Sequence, residues 1–281
     1  MKIYISLDME GIAGTYNWNQ ERTGYGREEV VKNMQEQMEW IIQAIHESEK
    51  NSQITKITIA DSHSGGDNLT YKITELDSRI NLISGGPRVK YMMPGLDDTY
   101  DQIFFVGYHS GIGNINGAMD HTYSGSCIHN IWIDDIPMNE GIINAYYGGY
   151  FNIPTTVITG DKALREELKR LKILDDSLFV ETKEAVGRFA SASYSKDKVK
   201  RDTFEKVKEA LSDSFKLPKI NKKEKDITLK IELAYTSMAD CAELIPSAKR
   251  IDGRTVEIVH SDYGVILDSI MAIVLLAQGG K

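Results

Sequence analysis

The chain has 281 residues, 41% of them hydrophobic and 26% charged, with a formal charge of -8 and a pI near 5.4. That is enough apolar material for one large domain or two ordinary ones around a sizeable core. The acidic balance argues against nucleic acid or an anionic membrane as the main partner, since both select basic faces, and favours small molecules or peptides.

The run Met1-Lys2-Ile3-Tyr4-Ile5-Ser6-Leu7-Asp8 has neither the apolar length nor the small-residue cleavage site of a signal peptide, and it reads as a strand of the fold. Ile270 to Ala277 is the longest strongly apolar run and falls well short of the ~20 residues that cross a bilayer, so no membrane span is expected. Cys127 and Cys241 form no Cys-x-x-Cys motif and are too few for a disulfide framework. They read as thiols in a reducing compartment, and the expected localisation is cytoplasmic.

In chain order, Lys2 to Leu7 is a β-rich run that ends on Asp8. Val30, Met34, Met38, Ile41, Ile42 and Ile45 then recur at three- and four-residue steps, the period of an amphipathic helix. Ile57 to Ala60 is a second strand, ending on Asp61, and Gln102 to Val106 a third, ending at Gly107. Pro154 to Thr159 followed by Leu164, Leu168 and Leu171 repeats the strand-then-helix order. This alternation predicts an α/β fold with a doubly wound, mostly parallel sheet over residues 1–180.

Beyond residue 180 the texture changes. A basic helix around Val199 to Leu211 leads into the lysine-rich run Lys216 to Asp226, which reads as a surface loop. Ile227 to Ala234 and Thr255 to His260 alternate like half-exposed strands, each followed by a helical stretch. The last helix, Tyr263 to Gln278, is apolar over most of its circumference, which suits the core or a subunit interface. A second, smaller α+β domain is expected over residues 181–281.

Chemistry-bearing side chains gather within three residues of the carboxyl ends of the three clearest strands: Asp8 and Glu10, then Asp61 and His63, then His109. Ligands of open α/β sheets bind outside those ends, so these residues can converge. Carboxylates with two imidazoles suit zinc or manganese better than magnesium. Singly, Asp8 or Asp61 serves as well as a helix cap or turn residue, His63 as a solvated loop residue, and His109 as a hydrogen-bonded strand end. Their coincidence is what points to a site.

Glu140, ahead of the apolar pattern Ile142, Ile143, Ala145, Tyr146, fits a helix N-terminus equally well, and the pattern alone does not choose it. His121 in Met119-Asp120-His121-Thr122 is open between a loop and a catalytic position. His46, His129 and His260 read as structural. His46-Glu47-Ser48-Glu49-Lys50 lacks the second histidine of a helical zinc-protease motif, and neither a Gly-x-Ser-x-Gly elbow nor a Walker A loop is present. The glycines Gly111, Gly113 and Gly117 miss the dinucleotide-binding spacing by one residue.

Six short strings occur in an order and approximate spacing that resembles one known family: Asp8-Met9-Glu10-Gly11-Ile12, Asp61-Ser62-His63-Ser64, Leu82-Ile83-Ser84-Gly85, Gly95-Leu96-Asp97-Asp98, Gly107-Tyr108-His109 and Asn144-Ala145. The family is the D-aminopeptidases of the bacterial dipeptide-transport operon. The match runs over roughly the first 160 residues and is looser afterwards.

The resemblance implies a two-zinc aminopeptidase acting on short peptides with an N-terminal D-residue, particularly D-alanine. It also implies a large homo-oligomer, such as a decameric ring, enclosing its active sites. By motif, Asp8 bridges the metals, Glu10 and Glu140 serve one ion, His63 and His109 the other, and His121 is the catalytic histidine. Manganese is the alternative ion. The family's Met-Ser-His-Ser reads Met119-Asp120-His121-Thr122 here, and a carboxylate at Asp120 is expected to raise the His121 pKa or reshape the substrate pocket. The same dinuclear chemistry would also serve an amidohydrolase or phosphohydrolase. A third reading is a ligand-binding or assembly protein without turnover.

Overall fold

The structure is a computed structural model that describes residues 1–21 and 25–281. A seven-stranded sheet, sheet A, has the spatial order β3-β2-β1-β4-β7-β8-β9 and consists of β1 (Lys2–Leu7), β2 (Lys56–Asp61), β3 (Ile80–Ile83), β4 (Gln102–Tyr108), β7 (Thr155–Asp161), β8 (Leu178–Gly187) and β9 (Ala190–Ser193). Every pairing in it is parallel except β8 with β9. The expected doubly wound, mostly parallel sheet is therefore present.

Both faces of sheet A are buried, as a parallel sheet requires. In β1, Ile3, Ile5 and Leu7 point into one core and Tyr4 into the other; in β4, Phe104 and Val106 face the first, Ile103 and Phe105 the second. Helix α1 (Tyr25–His46) covers the first face with Val30, Met34, Met38, Ile41, Ile42 and Ile45, the residues that carry its helical period. Helix α4 (Lys196–Ala210) packs beside it. On the other face lie α2 (Glu140–Tyr150) and α3 (Lys162–Leu171).

Sheet B is five-stranded and antiparallel, with the order β11-β12-β10-β5-β6: β5 (Ile128–Ile133), β6 (Ile136–Pro137), β10 (Ile227–Leu233), β11 (Lys249–Arg250) and β12 (Thr255–His260). In β10, Ile227, Leu229, Ile231 and Leu233 are buried and the residues between them half-buried, the alternation of a one-sided sheet. Helices α5 (Thr236–Ala242) and α6 (Tyr263–Ala277) pack on it. Tyr263 to Gly280 is long and apolar enough to cross a bilayer, but half of it is buried in the protein, with Ile266, Ile270 and Ile273 in the core shared by both sheets. It is a core helix.

Residue 180, where the sequence texture changes, lies inside β8 of sheet A. Sheet B takes β5 and β6 from residues 128–137 and pairs β5 with β10. The two sheets thus interleave along the chain and share a core in which Phe105 of sheet A and Ile131, Leu229 and Val256 of sheet B belong to one cluster.

Candidate metal centre and active site

From β1 the chain moves to β2 and β3 on one side, while β4 and β7 lie on the other, so β1 and β4 flank the point where the winding reverses. That crevice is where open α/β sheets bind ligands. The register aligns the strand ends: Leu7 pairs with Asp61 and with Val106. Asp8 N then donates to Val106 O at 2.8 Å and Ser62 N to Leu7 O at 2.8 Å. A side chain at Gly107, where φ is +71°, would strike the Asp8 carbonyl and Ile12, so only glycine lets β4 turn this close to Asp8.

The five expected ligand residues converge. Asp8, Glu10, His63, His109 and Glu140 are all buried, and His121 stands at their edge, 12% exposed at its side chain. His63 Nδ1 lies 3.1 Å from Asp8 Oδ1 and 3.0 Å from Glu10 Oε2. His109 Nε2 lies 3.5 Å from Asp8 Oδ2 and 3.6 Å from Glu140 Oε1. Donor atoms of Asp8, Glu10 and His63 fall within 4.8 Å of one another, as do those of Asp8, His109 and Glu140. Asp8 belongs to both groups. Donor atoms of Glu10, His109 and His121 form a third such group.

His109 Nδ1 donates to Ser110 O at 2.9 Å, which turns Nε2 toward the carboxylates. Asp8 Oδ2 and His109 Nε2 are buried without a hydrogen-bond partner among the described residues. Buried polar atoms are rarely left so. Separations of 3.5 and 3.6 Å are long for hydrogen bonds, yet two donors ~2.1 Å from one tetrahedral ion stand ~3.4 Å apart. A divalent cation fits this donor set.

The charges tell the same story. Burial and the neighbouring Glu10 push the Asp8 carboxyl up to about 7, against a lowering hydrogen bond from His63. Burial would raise Glu10 and Glu140 too, but the histidines outweigh it: His63 and His121 hold Glu10 well below the usual carboxylate range, and His109 and His121 lower Glu140. Burial works against a charged His109, yet the surrounding carboxylates raise it well above an ordinary imidazole. Three buried carboxylates demand positive charge.

His121 behaves oppositely: burial and the charge of His109, stacked on it at a centroid distance of 4.5 Å, lower its pKa. Its Nδ1 donates to Met119 O at 2.9 Å, and Nε2 lies 3.6 Å from Glu140 Oε1 and 3.8 Å from Glu10 Oε1. With Nδ1 donating, Nε2 is the ring nitrogen left to accept a proton. The expectation that Asp120 raises this pKa is corrected: its carboxylate is occupied by Arg188 Nε at 2.9 Å and Gly113 N at 2.7 Å. Thr122 is buried and donates to Met138 O at 3.2 Å.

Asp61, the other strand-end carboxylate, is no ligand. It accepts from Asn68 N at 2.6 Å, Asn68 Nδ2 at 2.8 Å and Leu69 N at 2.8 Å, clasping the loop that carries His63. Glu140 opens α2, whose cap Asn139 accepts from Ile142 N at 2.8 Å, and it accepts from Tyr123 N at 2.7 Å. It thus stands at a helix start and also beside His109 and His121.

The cluster opens into a cavity of about 440 Å³ lined by Trp18, Ser64, Tyr91, Met92, Tyr123 and Ser126 among others. Trp18 Nε1 donates to Glu10 Oε1 at 2.8 Å, and its ring sits edge-on to His121 at 5.2 Å. No sequence signal separates Trp18 or Tyr91 from other aromatics. Lys183 on β8, fully buried, donates to the carbonyls of Glu10, Ile12 and Thr15, and burial pushes its ammonium down to about 8. It hangs the Glu10 loop on β8.

The family model described as D-aminopeptidase, peptidase family M55, matches residues 1–272. A D-aminopeptidase of Bacillus subtilis (strain 168) is 30% identical over 258 residues, 91% of this chain and 89% of that protein. The solved structure of the Zn-dependent D-aminopeptidase DppA from Bacillus subtilis, described as a self-compartmentalizing protease, superposes with a TM-score of 0.89 at 29% identity, covering 99% of this chain and 98% of that one. This chain belongs to the D-aminopeptidase family, peptidase family M55.

Proposed function

We propose that this chain is a zinc aminopeptidase that removes an N-terminal D-residue, of the D-alanine type, from short peptides at a two-metal site. The observation that carries the two-metal reading is that, of three groups of possible ligands, two share buried Asp8, the third being Glu10, His109 and His121. Asp8, Glu10 and His63 would hold one ion, and Asp8, His109 and Glu140 the other. Ions held there supply Lewis acidity to the scissile carbonyl and to the hydrolytic water.

The chain's own residues do the rest. With its Nδ1 donating to Met119 O, His121 leaves Nε2 to take a proton from the attacking water and return it to the departing amine, or to attack the carbonyl itself, releasing the amine and leaving an acyl-imidazole that water hydrolyses. Trp18 fixes the orientation of Glu10 and walls His121 from solvent. The acidic cluster suits the ammonium of a peptide N-terminus, and a cavity of about 440 Å³ suits a short peptide. By the likeness to a self-compartmentalizing protease we propose a cytoplasmic homo-oligomer, a decameric ring, which light scattering on the purified protein tests.

Metal analysis with single substitutions tests the site. His63→Ala should lower bound zinc, and His121→Ala should keep it and lose turnover. An active His121→Ala variant removes the catalytic assignment. Cleavage of phosphoesters or L-peptides in preference to D-alanyl peptides would move the chain to another hydrolase activity.

A further inference from the structure

Glu167 of α3 is 4% exposed, and among the described residues its side chain hydrogen-bonds to Gly111 and Asn139 and to none of the candidate ligands. Its Oε2 accepts two hydrogen bonds, from Gly111 N at 2.9 Å and from Asn139 Nδ2 at 2.8 Å. Among the described residues no lysine or arginine pairs with it, so a buried carboxylate is spent wholly on two neutral donors. Burying a carboxylate is costly, and such groups mark positions where something must be held.

What it holds is specific. Gly111 follows His109 by two residues, and Asn139 immediately precedes Glu140 and caps its helix. One carboxylate oxygen therefore ties the segment that presents His109 to the segment that presents Glu140, whose donor atoms face each other at 3.6 Å. The junction has no slack: a side chain at Gly111 would come within 3.0 Å of Asn139 Cβ and 3.2 Å of Glu167 Oε1.

We infer that Glu167 is a positioning residue for the half of the site formed by Asp8, His109 and Glu140, fixing the spacing of the last two. The inference rests on the two-metal reading above. A glutamine keeps an oxygen that can accept both bonds, and an alanine does not. Partners that orient ligands from behind change metal affinity by about 10- to 100-fold.

The test is zinc titration of the metal-free full-length protein and its Glu167→Ala and Glu167→Gln variants against a chromogenic chelator. In parallel, amide hydrogen exchange is followed over residues 109–113 and 139–142 without metal. Glu167→Ala should bind one zinc equivalent as tightly as the parent and the other about 10- to 100-fold more weakly, with faster exchange in both segments; Glu167→Gln should stay near the parent in both measurements. Equal weakening of the two equivalents, equal loss in the two variants, or unchanged affinity and exchange in Glu167→Ala would each overturn the role. A parent that binds fewer than two equivalents refutes the two-metal reading instead, and the exchange measurement still decides whether Glu167 joins the segments.

Discussion

Arg188 Nε donates to Asp120 Oδ1 at 2.9 Å and its Nη2 to the Asp120 carbonyl at 3.1 Å, one residue before His121. Met119 N donates in turn to Arg188 O at 2.7 Å, so the β8–β9 turn holds the two residues that lead into His121. The Arg188 side chain is 48% exposed, and such a pair contributes ~0.2 to 1 kcal/mol. Asp120→Asn and Arg188→Ala should therefore each lower kcat only ~2- to 5-fold, and the double variant should be no worse than either. A pH–rate profile of Asp120→Asn should show the apparent pKa of the essential base unmoved; a clear downward move would mean that Asp120 acts on His121 directly.

The indole of Trp18 meets Glu10 Oε1 at 2.8 Å, a hydrogen bond to a buried carboxylate. Bonds of this kind are worth ~1.5 to 3 kcal/mol. Trp18→Phe keeps an aromatic ring beside His121 and removes only the donor. It should reduce kcat/KM by about 10- to 100-fold with zinc content unchanged, and parent-like kinetics would show that Glu10 is oriented without it.

Much of this fold was legible because parallel strands buried on both faces leave a strong apolar signature: β1, β2, β4 and β7 were each expected within two residues of their ends. Positions at strand ends led to Asp8, Glu10, His63 and His109, since sheet geometry itself brings those ends together. β8 carries no such signature: its pattern is half-buried and charge-bearing, with Glu181, Lys183 and Glu184 among its residues, and the burial of Lys183 against the Glu10 loop shows only in the folded chain. The segment around His129 reads as strand-like, but the pairing of β5 does not show, because its partner β10 lies about 100 residues away and no local pattern announces a pairing of that range. Glu140 required the family resemblance, as an acidic residue at a helix start has an ordinary electrostatic reason to be there. Trp18 and Glu167 act through contacts made only in the folded chain.

Lys183 gives a stability prediction. Its ammonium donates to three carbonyls of one loop, those of Glu10, Ile12 and Thr15, and methionine of similar length would leave all three without this donor. Ile12 O keeps Thr15 N at 3.2 Å and Thr15 O keeps Ser191 Oγ at 3.4 Å, so Glu10 O is the acceptor left stranded, and Lys183→Met should lose ~1 to 3 kcal/mol of unfolding free energy. Urea titration of the metal-free protein measures it. A loss below about 1 kcal/mol would mean that the loop holds itself.

Asp77 carries the acid sensitivity of the edge of sheet A. It accepts from Arg79 Nη2 at 2.6 Å, Nε at 3.0 Å and N at 2.8 Å, and it lies 2.7 Å from His46 Nε2. Arg79 also donates to Asn51 O at 2.8 Å and Ile54 O at 3.1 Å, so this one carboxylate organises the approach to β3. The Arg79 hydrogen bonds hold its carboxyl well below the usual aspartate range despite some burial. A carboxyl depressed in the fold stabilises fully above its unfolded pKa of ~3.9, and that contribution is lost as the pH falls toward the folded value. Asp77→Asn should therefore be less stable than the parent by ~1 to 2 kcal/mol at pH 7, with the gap narrowing only below about pH 4. Urea midpoints at pH 7, 5 and 3 check both the sign and the window: a gap as wide at pH 3 as at pH 7 would place the effect in packing, since only the ionised carboxylate carries the linkage.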